Sequence, residues 1–157
     1  MQVNRVVGGA DALNLAPSGA GNLVNVRYDP NDLPTETLSF MQERHLATLS
    51  LVTTSGELHV TPVGFSWDSA SETARVITFA ESKKVRLIEA EGPLVACLSQ
   101  VDGGRWLSLH GTASVTQDPS VNADAERRYA ARYRPPGDRG ADRRTIEIRV
   151  AKMVGRA

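Results

Sequence analysis

The sequence LVACLSQVDGGRWLSLHGTASVT, residues 94–116, predicts the central hairpin of an antiparallel sheet. Leu94–Gln100 is a strand candidate, and Arg105–Thr116 is a second, longer one in which leucines alternate with serine and histidine. That two-residue period is typical of a strand with one buried face. Between them, Asp102-Gly103-Gly104 carries the residue types that tight hairpin turns require. The hairpin fixes the antiparallel character of the surrounding fold.

Strand patterns continue on both sides of this hairpin. They cover Leu46–Thr53, Leu58–Trp67, Thr73–Phe79 and a last segment in which Ile146, Ile148, Val150 and Val154 alternate. Helices are predicted at Thr35–His45, at Val85–Ala90 after Ser82, and from Asp118-Pro119 to Pro135. The six predicted strands are connected in antiparallel style, and two short helices and one longer helix are too few to cover a parallel sheet. We therefore predict a mainly β (α+β) fold, a small closed or split six-stranded β-barrel with peripheral helices.

Composition sets limits on the class of protein. The 157 residues suit one domain at residues 33–157, preceded at 1–32 by small, polar, unpatterned residues that predict a loosely ordered N-terminal arm. Lys and Arg total 18, as do Asp and Glu, so the net charge is near zero. A main role in electrostatic binding of nucleic acid or an anionic membrane is therefore not expected. A single cysteine, Cys97, excludes an internal disulfide and a cysteine-built zinc site. The absence of a long apolar run predicts a cytoplasmic protein.

An adjacent lysine pair is the most distinctive local feature. Lys83 and Lys84 are two of only three lysines, and they follow Ser82 where a strand gives way to a helix. The helix dipole disfavours cations in a first turn, unless an anion such as phosphate binds the exposed N–H groups there. A solvated helix start with Glu81 as counter-charge explains the same residues. The sequence leaves both interpretations open.

Other motifs narrow the chemistry. Pro62 and Gly64 are unusual within a strand and indicate an edge, a bulge or the close approach of a flat ligand. Trp106 opens its strand as either core or a stacking wall. The chain lacks G-x-G-x-x-G, G-x-x-x-x-G-K-[ST] and G-x-S-x-G motifs. Its three histidines are widely separated, so we predict no metal site.

A family resemblance rests on the order of these segments. Leu58-His-Val-Thr-Pro-Val-Gly-Phe65, Arg75-Val-Ile-Thr78, Ser82-Lys-Lys-Val85 and Leu98–Gly111 resemble the pyridoxamine 5′-phosphate oxidase-like split β-barrel superfamily. More narrowly, they are similar to its flavin/deazaflavin oxidoreductase B group. Gln42–Ala47 and Ala125–Tyr133 extend the similarity, which covers roughly residues 33–155.

The resemblance implies a homodimer with two cofactor sites at the subunit interface. The cofactor phosphate would lie against Ser82 and Lys84, with Lys83 between them. The ring would lie over two strands, and the other subunit would close the site. The residues implied for the ring are Val60, Thr61, Pro62, Val63, Ile77 and Thr78, and those implied from the partner are Gln100, Arg105 and Trp106.

The resemblance also implies the chemistry. FMN oxidases of this fold carry a basic phosphate clamp on the second strand, where this chain has Thr61 and Pro62, so the deazaflavin coenzyme F420 is expected rather than FMN. Reduced F420 would pass a hydride to a conjugated acceptor, with biliverdin as one candidate whose propionates Arg105 or the pair Arg143-Arg144 would bind. No residue stands out as a catalytic acid or base. An FMN-dependent oxidase or reductase, and a non-catalytic binder of flavin or haem, stay as alternatives.

Overall fold

The computed structural model describes residues 25–157, so most of the predicted N-terminal arm lies outside the described residues. The elements follow in the order β1 (Val26–Tyr28), α1 (Thr35–Gln42), β2 (Ala47–Val52), β3 (Leu58–Val63), β4 (Ser66–Asp68), β5 (Thr73–Phe79), α2 (Lys83–Glu91), β6 (Leu94–Asp102), β7 (Arg105–Thr116), α3 (Pro119–Arg132), a 3-10 turn at Gly140–Asp142 and β8 (Arg143–Arg156). None of the helices in this part of the chain has the length and apolar character needed to cross a bilayer.

All the strands pair antiparallel in a single sheet of order β3-β2-β6-β7-β8-β5-β4, and β1 pairs with β8. The two edges of this sheet, β3 and β4, follow each other in the chain and are separated only by Gly64 and Phe65. A link of two residues keeps the edges close, so the sheet must curl round on itself. Because β3 and β4 do not pair, the barrel stays open along one line, which we call the seam. The predicted mainly β fold, an antiparallel split barrel with peripheral helices, is confirmed.

The strand count differs from the prediction of six. The predicted strand Leu58–Trp67 is interrupted at Gly64, where a Cβ atom would lie 2.8 Å from Tyr129 Cε2, and it resumes as β4 after Phe65. Tyr133 Oη accepts a 3.2 Å hydrogen bond from the Phe65 amide, which satisfies a backbone group that leaves the ladder. The other additional strand, β1, consists of three residues at the end of the segment predicted as an arm.

The central hairpin is confirmed. Strands β6 and β7 pair from Leu94 with Ala113 to Asp102 with Arg105, and Gly103 takes a φ of +56° in the turn. Leu98, Leu107 and Leu109 are fully buried on its inner face. The predicted start of α3 is also confirmed, since Asp118 Oδ1 accepts hydrogen bonds from the amides of Ser120 and Val121. The hairpin therefore supplies much of the buried core, and Asp118 defines where α3 begins.

Candidate functional site

A cavity of about 510 Å³ opens beside the seam, a volume within the usual range for small-molecule sites. One wall comes from the end of β3 and another from β5. The segment between α3 and β8 covers it. Its lining residues are Pro62, Val63, Gly64, Val76, Ile77, Thr78, Phe79, Lys84, Tyr129, Arg134, Pro135, Pro136, Gly137, Arg139 and Arg143.

One end of the cavity meets the start of α2. Ser82 is buried, and its hydroxyl contacts Thr78 Oγ1 at 3.2 Å instead of capping the helix. The first amides of a helix have no intrahelical acceptor, so the N–H groups of this turn are available to an anion. Lys84 lines the cavity beside them, and burial lowers the pKa of its amine. The bound-anion interpretation of the lysine pair therefore gains support from the geometry.

A third basic group, His59, lies near the lysine pair, although it does not line the cavity. The pKa of the His59 imidazole on β3 is lowered, first by burial and then by the charges of Lys83 and Lys84, which shows that the three groups are close enough to repel. Lys83 itself is exposed and does not line the cavity. An anion bound here would relieve the repulsion among the three.

The structure brings together only part of the predicted ring-binding surface. Pro62, Val63, Ile77 and Thr78 line the cavity. Val60 is 55% exposed, and neither it nor Thr61 is among the lining residues. Pro62 lies in the edge strand β3, which explains how the sheet tolerates a residue without an N–H group.

The sequence did not predict the segment that covers the cavity. Arg134, Pro135, Pro136, Gly137 and Arg139 all line it. The Arg139 guanidinium lies 4.7 Å from the centre of the Phe79 ring, close enough for a cation–π contact. A Pro-Pro-Gly helix end is the only signal that marks the segment, and it predicts a turn rather than a site.

Two arginines predicted for an acceptor's propionates have other partners. Arg143 is 7% exposed; it forms an ion pair with Glu126 and donates to the carbonyl oxygen of Gly137 at 2.7 Å. Arg144 donates to the carbonyl oxygen of Ala141 at 2.9 Å and does not line the cavity. Arg143 thus holds the covering segment in place, and we do not assign either arginine to an acceptor.

The three residues predicted to reach a partner's site lie away from this cavity. Gln100 requires a correction: its side chain is fully buried, donates to the carbonyl oxygen of Phe40 at 2.8 Å and accepts from Arg132 at 2.6 Å. A side chain enclosed in this way cannot reach another subunit. Trp106 is half-buried on β7, where it pairs with the exposed Val101.

Arg105 is engaged within its own chain. It donates to both carboxylate oxygens of Glu43, at 2.7 and 2.8 Å, and also pairs with Asp102. The hydrogen bond from Arg105, with a further one from His45, lowers the pKa of Glu43 to about 2. Oxygen and nitrogen atoms of Glu43, His45 and Asp102 lie within 4.8 Å of one another, a spacing that would suit a metal ion. Because Arg105 already binds both carboxylates, we assign no metal there.

Charge distinguishes the cavity from the rest of the chain. Its lining contains Lys84, Arg134, Arg139 and Arg143 and no Asp or Glu, although the chain as a whole is neutral. Only Arg143 of these four pairs with a carboxylate within residues 25–157. A cationic cavity with apolar side chains from β3 and β5, beside a helix N-terminus that has no side-chain cap, suits a ring compound that carries phosphate.

Comparison with known proteins identifies the family. The family model described as pyridoxamine 5′-phosphate oxidase matches residues 33–156. The chain belongs to the pyridoxamine 5′-phosphate oxidase family. Within the family, it is 44% identical over 126 residues to the F420H(2)-dependent biliverdin reductase of Mycobacterium tuberculosis (strain CDC 1551 / Oshkosh), which covers 80% of this chain and 89% of the relative.

Two solved structures of similar fold extend the comparison. A protein described as F420 reductase has a TM-score of 0.58 and 26% identity, covering 77% of this chain and 98% of that one. A proposed pyridoxamine 5′-phosphate oxidase from Listeria innocua has a TM-score of 0.59 and 16% identity, covering 75% of this chain and 93% of that one. The second likeness shows the fold alone.

Proposed function

We propose that this protein is an oxidoreductase that uses reduced coenzyme F420 to reduce a conjugated acceptor of the biliverdin type. The observation that carries the proposal is the cationic cavity, which holds no carboxylate and adjoins the uncapped start of α2. The relative named as an F420H(2)-dependent biliverdin reductase supports the choice of cofactor and acceptor.

The residues present fit such a cofactor. The amides at the start of α2, together with Lys84 and Ser82, would bind its phosphate, and Pro62, Ile77 and Thr78 would contact its ring. When bound, the deazaflavin supplies a hydride to the acceptor. The chain's own contribution is orientation and charge compensation. Tyr129 and the Pro135-Pro136 turn cover part of the cavity.

An FMN enzyme of the same fold is the second candidate. The family name favours it, whereas Thr61 and Pro62 in place of a basic clamp argue against it. Basic groups at the cavity mouth would favour the longer acidic tail of the deazaflavin, and such exposed contacts weaken as salt rises. We expect F420 to bind at least about tenfold more tightly than FMN, a difference of roughly 1.4 kcal/mol that shrinks at high salt.

The experiment that tests the function adds reduced F420 to the protein with a panel of acceptors, biliverdin first, and follows cofactor reoxidation. Oxidation that depends on both protein and acceptor supports the reductase. Parallel fluorescence titrations with F420 and FMN at low and high salt test the cofactor. Equal or tighter binding of FMN would favour the FMN enzyme, and tight binding without turnover of any acceptor would favour a binding protein.

We also propose a homodimer formed through the outer face of β3, β2 and β6. This face exposes Leu58, Val60, Val95 and Val101 at 69, 55, 66 and 62%, and the register places Leu58 and Val95 on either side of Val52. Leu58, Val52 and Val95 thus form an apolar row across three strands, which is unusual on the surface of a monomer. Trp106 adjoins it through Val101 and is placed to contact a partner.

Sedimentation at micromolar concentration tests the assembly. We expect a dimer for the native chain and a monomer for Val95→Asp, because a carboxylate buried in an apolar interface is costly. A native chain that sediments as a monomer and still binds F420 at full affinity would exclude the proposed assembly.

A further inference from the structure

Two arginines at the mouth of the cavity have no carboxylate partner within residues 25–157. Arg134 and Arg139 are both exposed, and both line the cavity from the covering segment. Among the described residues, neither forms an ion pair, whereas Arg127, Arg128 and Arg132 on the adjoining helix all bond to acceptors within the chain. An unpaired guanidinium is a strong, bidentate binder of carboxylates.

The segment that carries them is held in a defined position. Arg143 joins the Gly137 carbonyl oxygen to Glu126 of α3, and the Ala80 amide donates to the Asp142 carbonyl oxygen at 3.0 Å. Arg139 is further oriented by its stacking on Phe79 of β5. The backbone of the segment is therefore anchored near both arginines, and the stacking of Arg139 on Phe79 lowers the entropic cost of binding a ligand to that side chain.

The nearest acidic residue in sequence does not neutralise them. Asp138 faces another hollow, lined by Asn122 and Glu126, and its Oδ1 accepts a 2.8 Å hydrogen bond from the Gly140 amide. Lys84, by contrast, reaches the cavity from α2, a different element from the covering segment. The cavity thus carries cations at two places that belong to separate elements.

We propose that Arg134 and Arg139 form a second anion subsite, separate from Lys84, which binds carboxylate groups of the ligand. The subsite deepens the proposed function and rests on it for the identity of the ligand. The carboxylates come either from the propionates of a tetrapyrrole acceptor or from the acidic tail of the cofactor. Both sources present the same chemistry to the two arginines.

The test uses the full chain with Arg134→Gln and Arg139→Gln, singly and together, and Arg127→Gln as the control. Arg127 is an exposed arginine of the same helix region, 69% exposed and outside the cavity lining. Dissociation constants are measured for biliverdin and its dimethyl ester, and for F420 with and without its glutamate tail. Exposed charge pairs contribute modestly, so the double variant should weaken binding of the charged ligand roughly fivefold.

The paired ligands separate the two sources. A loss for biliverdin but not for its ester assigns the subsite to the acceptor, and a loss for tailed but not tail-free F420 assigns it to the cofactor tail. Equal losses for charged and uncharged ligands, or an unchanged affinity for all four, would overturn the subsite. Arg139→Lys should restore part of the affinity, because it keeps the charge.

Citrate is a probe of the arginine subsite that does not depend on the proposed function, so failure of the function can be distinguished from failure of the subsite. If the native chain binds neither biliverdin nor F420, the proposed function fails. Citrate is then used in a thermal unfolding assay. Stabilisation of the native chain and of Arg127→Gln, but not of the double variant, supports the subsite. Equal stabilisation of all three, or none, overturns it.

Discussion

Two arginine-rich regions of this protein differ in how their charges are compensated. Beside β4 and β5, Arg75 bonds to Asp68 at 2.8 Å and to Glu147 at 3.1 Å, and Arg128 bonds to Asp124 at 2.7 Å. At the cavity, Lys84, Arg134 and Arg139 line a surface that contains no Asp or Glu. In the first region the arginines stabilise the fold through ion pairs, and in the second the cations are available to bind a ligand.

The difference shows why net charge says little about a site. A chain with 18 basic and 18 acidic residues contains a strongly cationic cavity, because its carboxylates are placed elsewhere. Charges that are already paired add little attraction for a ligand, whereas unpaired ones add much more. Substitutions in the two regions should therefore affect different quantities.

The largest effect is expected for Arg75→Ala. Its side chain is 11% exposed, and its removal leaves Asp68 and Glu147 without their main partner. Breaking a largely buried ion pair on one side costs about 3–5 kcal/mol of unfolding free energy. Urea denaturation measures the loss. Arg127→Ala, on the exposed surface, should change the same quantity by no more than about 0.5 kcal/mol.

The pH dependence of this network has a defined sign. Burial raises the pKa of Asp68, but hydrogen bonds from Arg75 and Ser71 outweigh it, so the pKa lies below its ordinary value of 3.8. A carboxyl with a lowered pKa stabilises the fold above its unfolded-state pKa, and that stability is lost as pH falls through the folded-state value. Acid should therefore destabilise the native chain more than Arg75→Ala.

Arg143 combines features of the two regions, because it lines the cavity but is paired with a carboxylate within the chain. Its pairing with Glu126 and with the Gly137 carbonyl oxygen predicts that Arg143→Ala loses about 1.5–3 kcal/mol of unfolding free energy. Ligand affinity should fall as well, since the covering segment loses its anchor. A variant that loses affinity at unchanged stability would place Arg143 among the ligand-binding cations instead.

Lys84→Ala, in contrast to Arg75→Ala, should weaken ligand binding without lowering the unfolding free energy. A charge-assisted bond to phosphate contributes on the order of 1.5–3 kcal/mol, so F420 binding should weaken roughly tenfold to a hundredfold. The unfolding free energy should stay level or rise slightly, because burial already lowers the pKa of this amine and disfavours its charge. Fluorescence titration and urea denaturation give the two quantities. Unchanged affinity would remove Lys84 from the site.

The smallest effect concerns His59. An anion bound beside Lys83 and Lys84 would offset their charges, so the lowered pKa of His59 should rise when sulfate binds, by less than about one unit. Binding then takes up protons, and sulfate affinity should fall as pH rises through the His59 titration. NMR titration with and without sulfate measures the shift, with His110 on β7 as reference. An identical pKa in both conditions would mean that the anion binds elsewhere.

Much of the fold could be predicted because its signals are local. Alternation marks the long strands, Asp102-Gly103-Gly104 marks the hairpin, and Asp118 marks the start of α3. Pro62 and Gly64 indicated an irregularity, but the break after β3 itself could not be predicted, because Tyr129 and Tyr133, which pack against it, lie more than sixty residues later in the chain.

The site was only partly predictable for a related reason. The lysine pair stood out by composition, and its second member, Lys84, lines the cavity, but the covering arginines lie in a segment without periodicity. Gln100 was assigned outward, although alternation with the buried Ala96 and Leu98 places it on the inner face. That assignment came from the family resemblance and not from the strand period.

The two-residue link between β3 and β4 also has an evolutionary consequence. Because the sheet is unpaired along this one line, its circumference can change without breaking a ladder hydrogen bond. A change of length at Gly64-Phe65 would alter the width of the opening beside which the cavity lies and would displace Phe65 from the core, while the hairpin of β6 and β7 keeps its register. The short Gly64-Phe65 connection therefore ties the width of this opening to the packing of Tyr129 and Tyr133 against it.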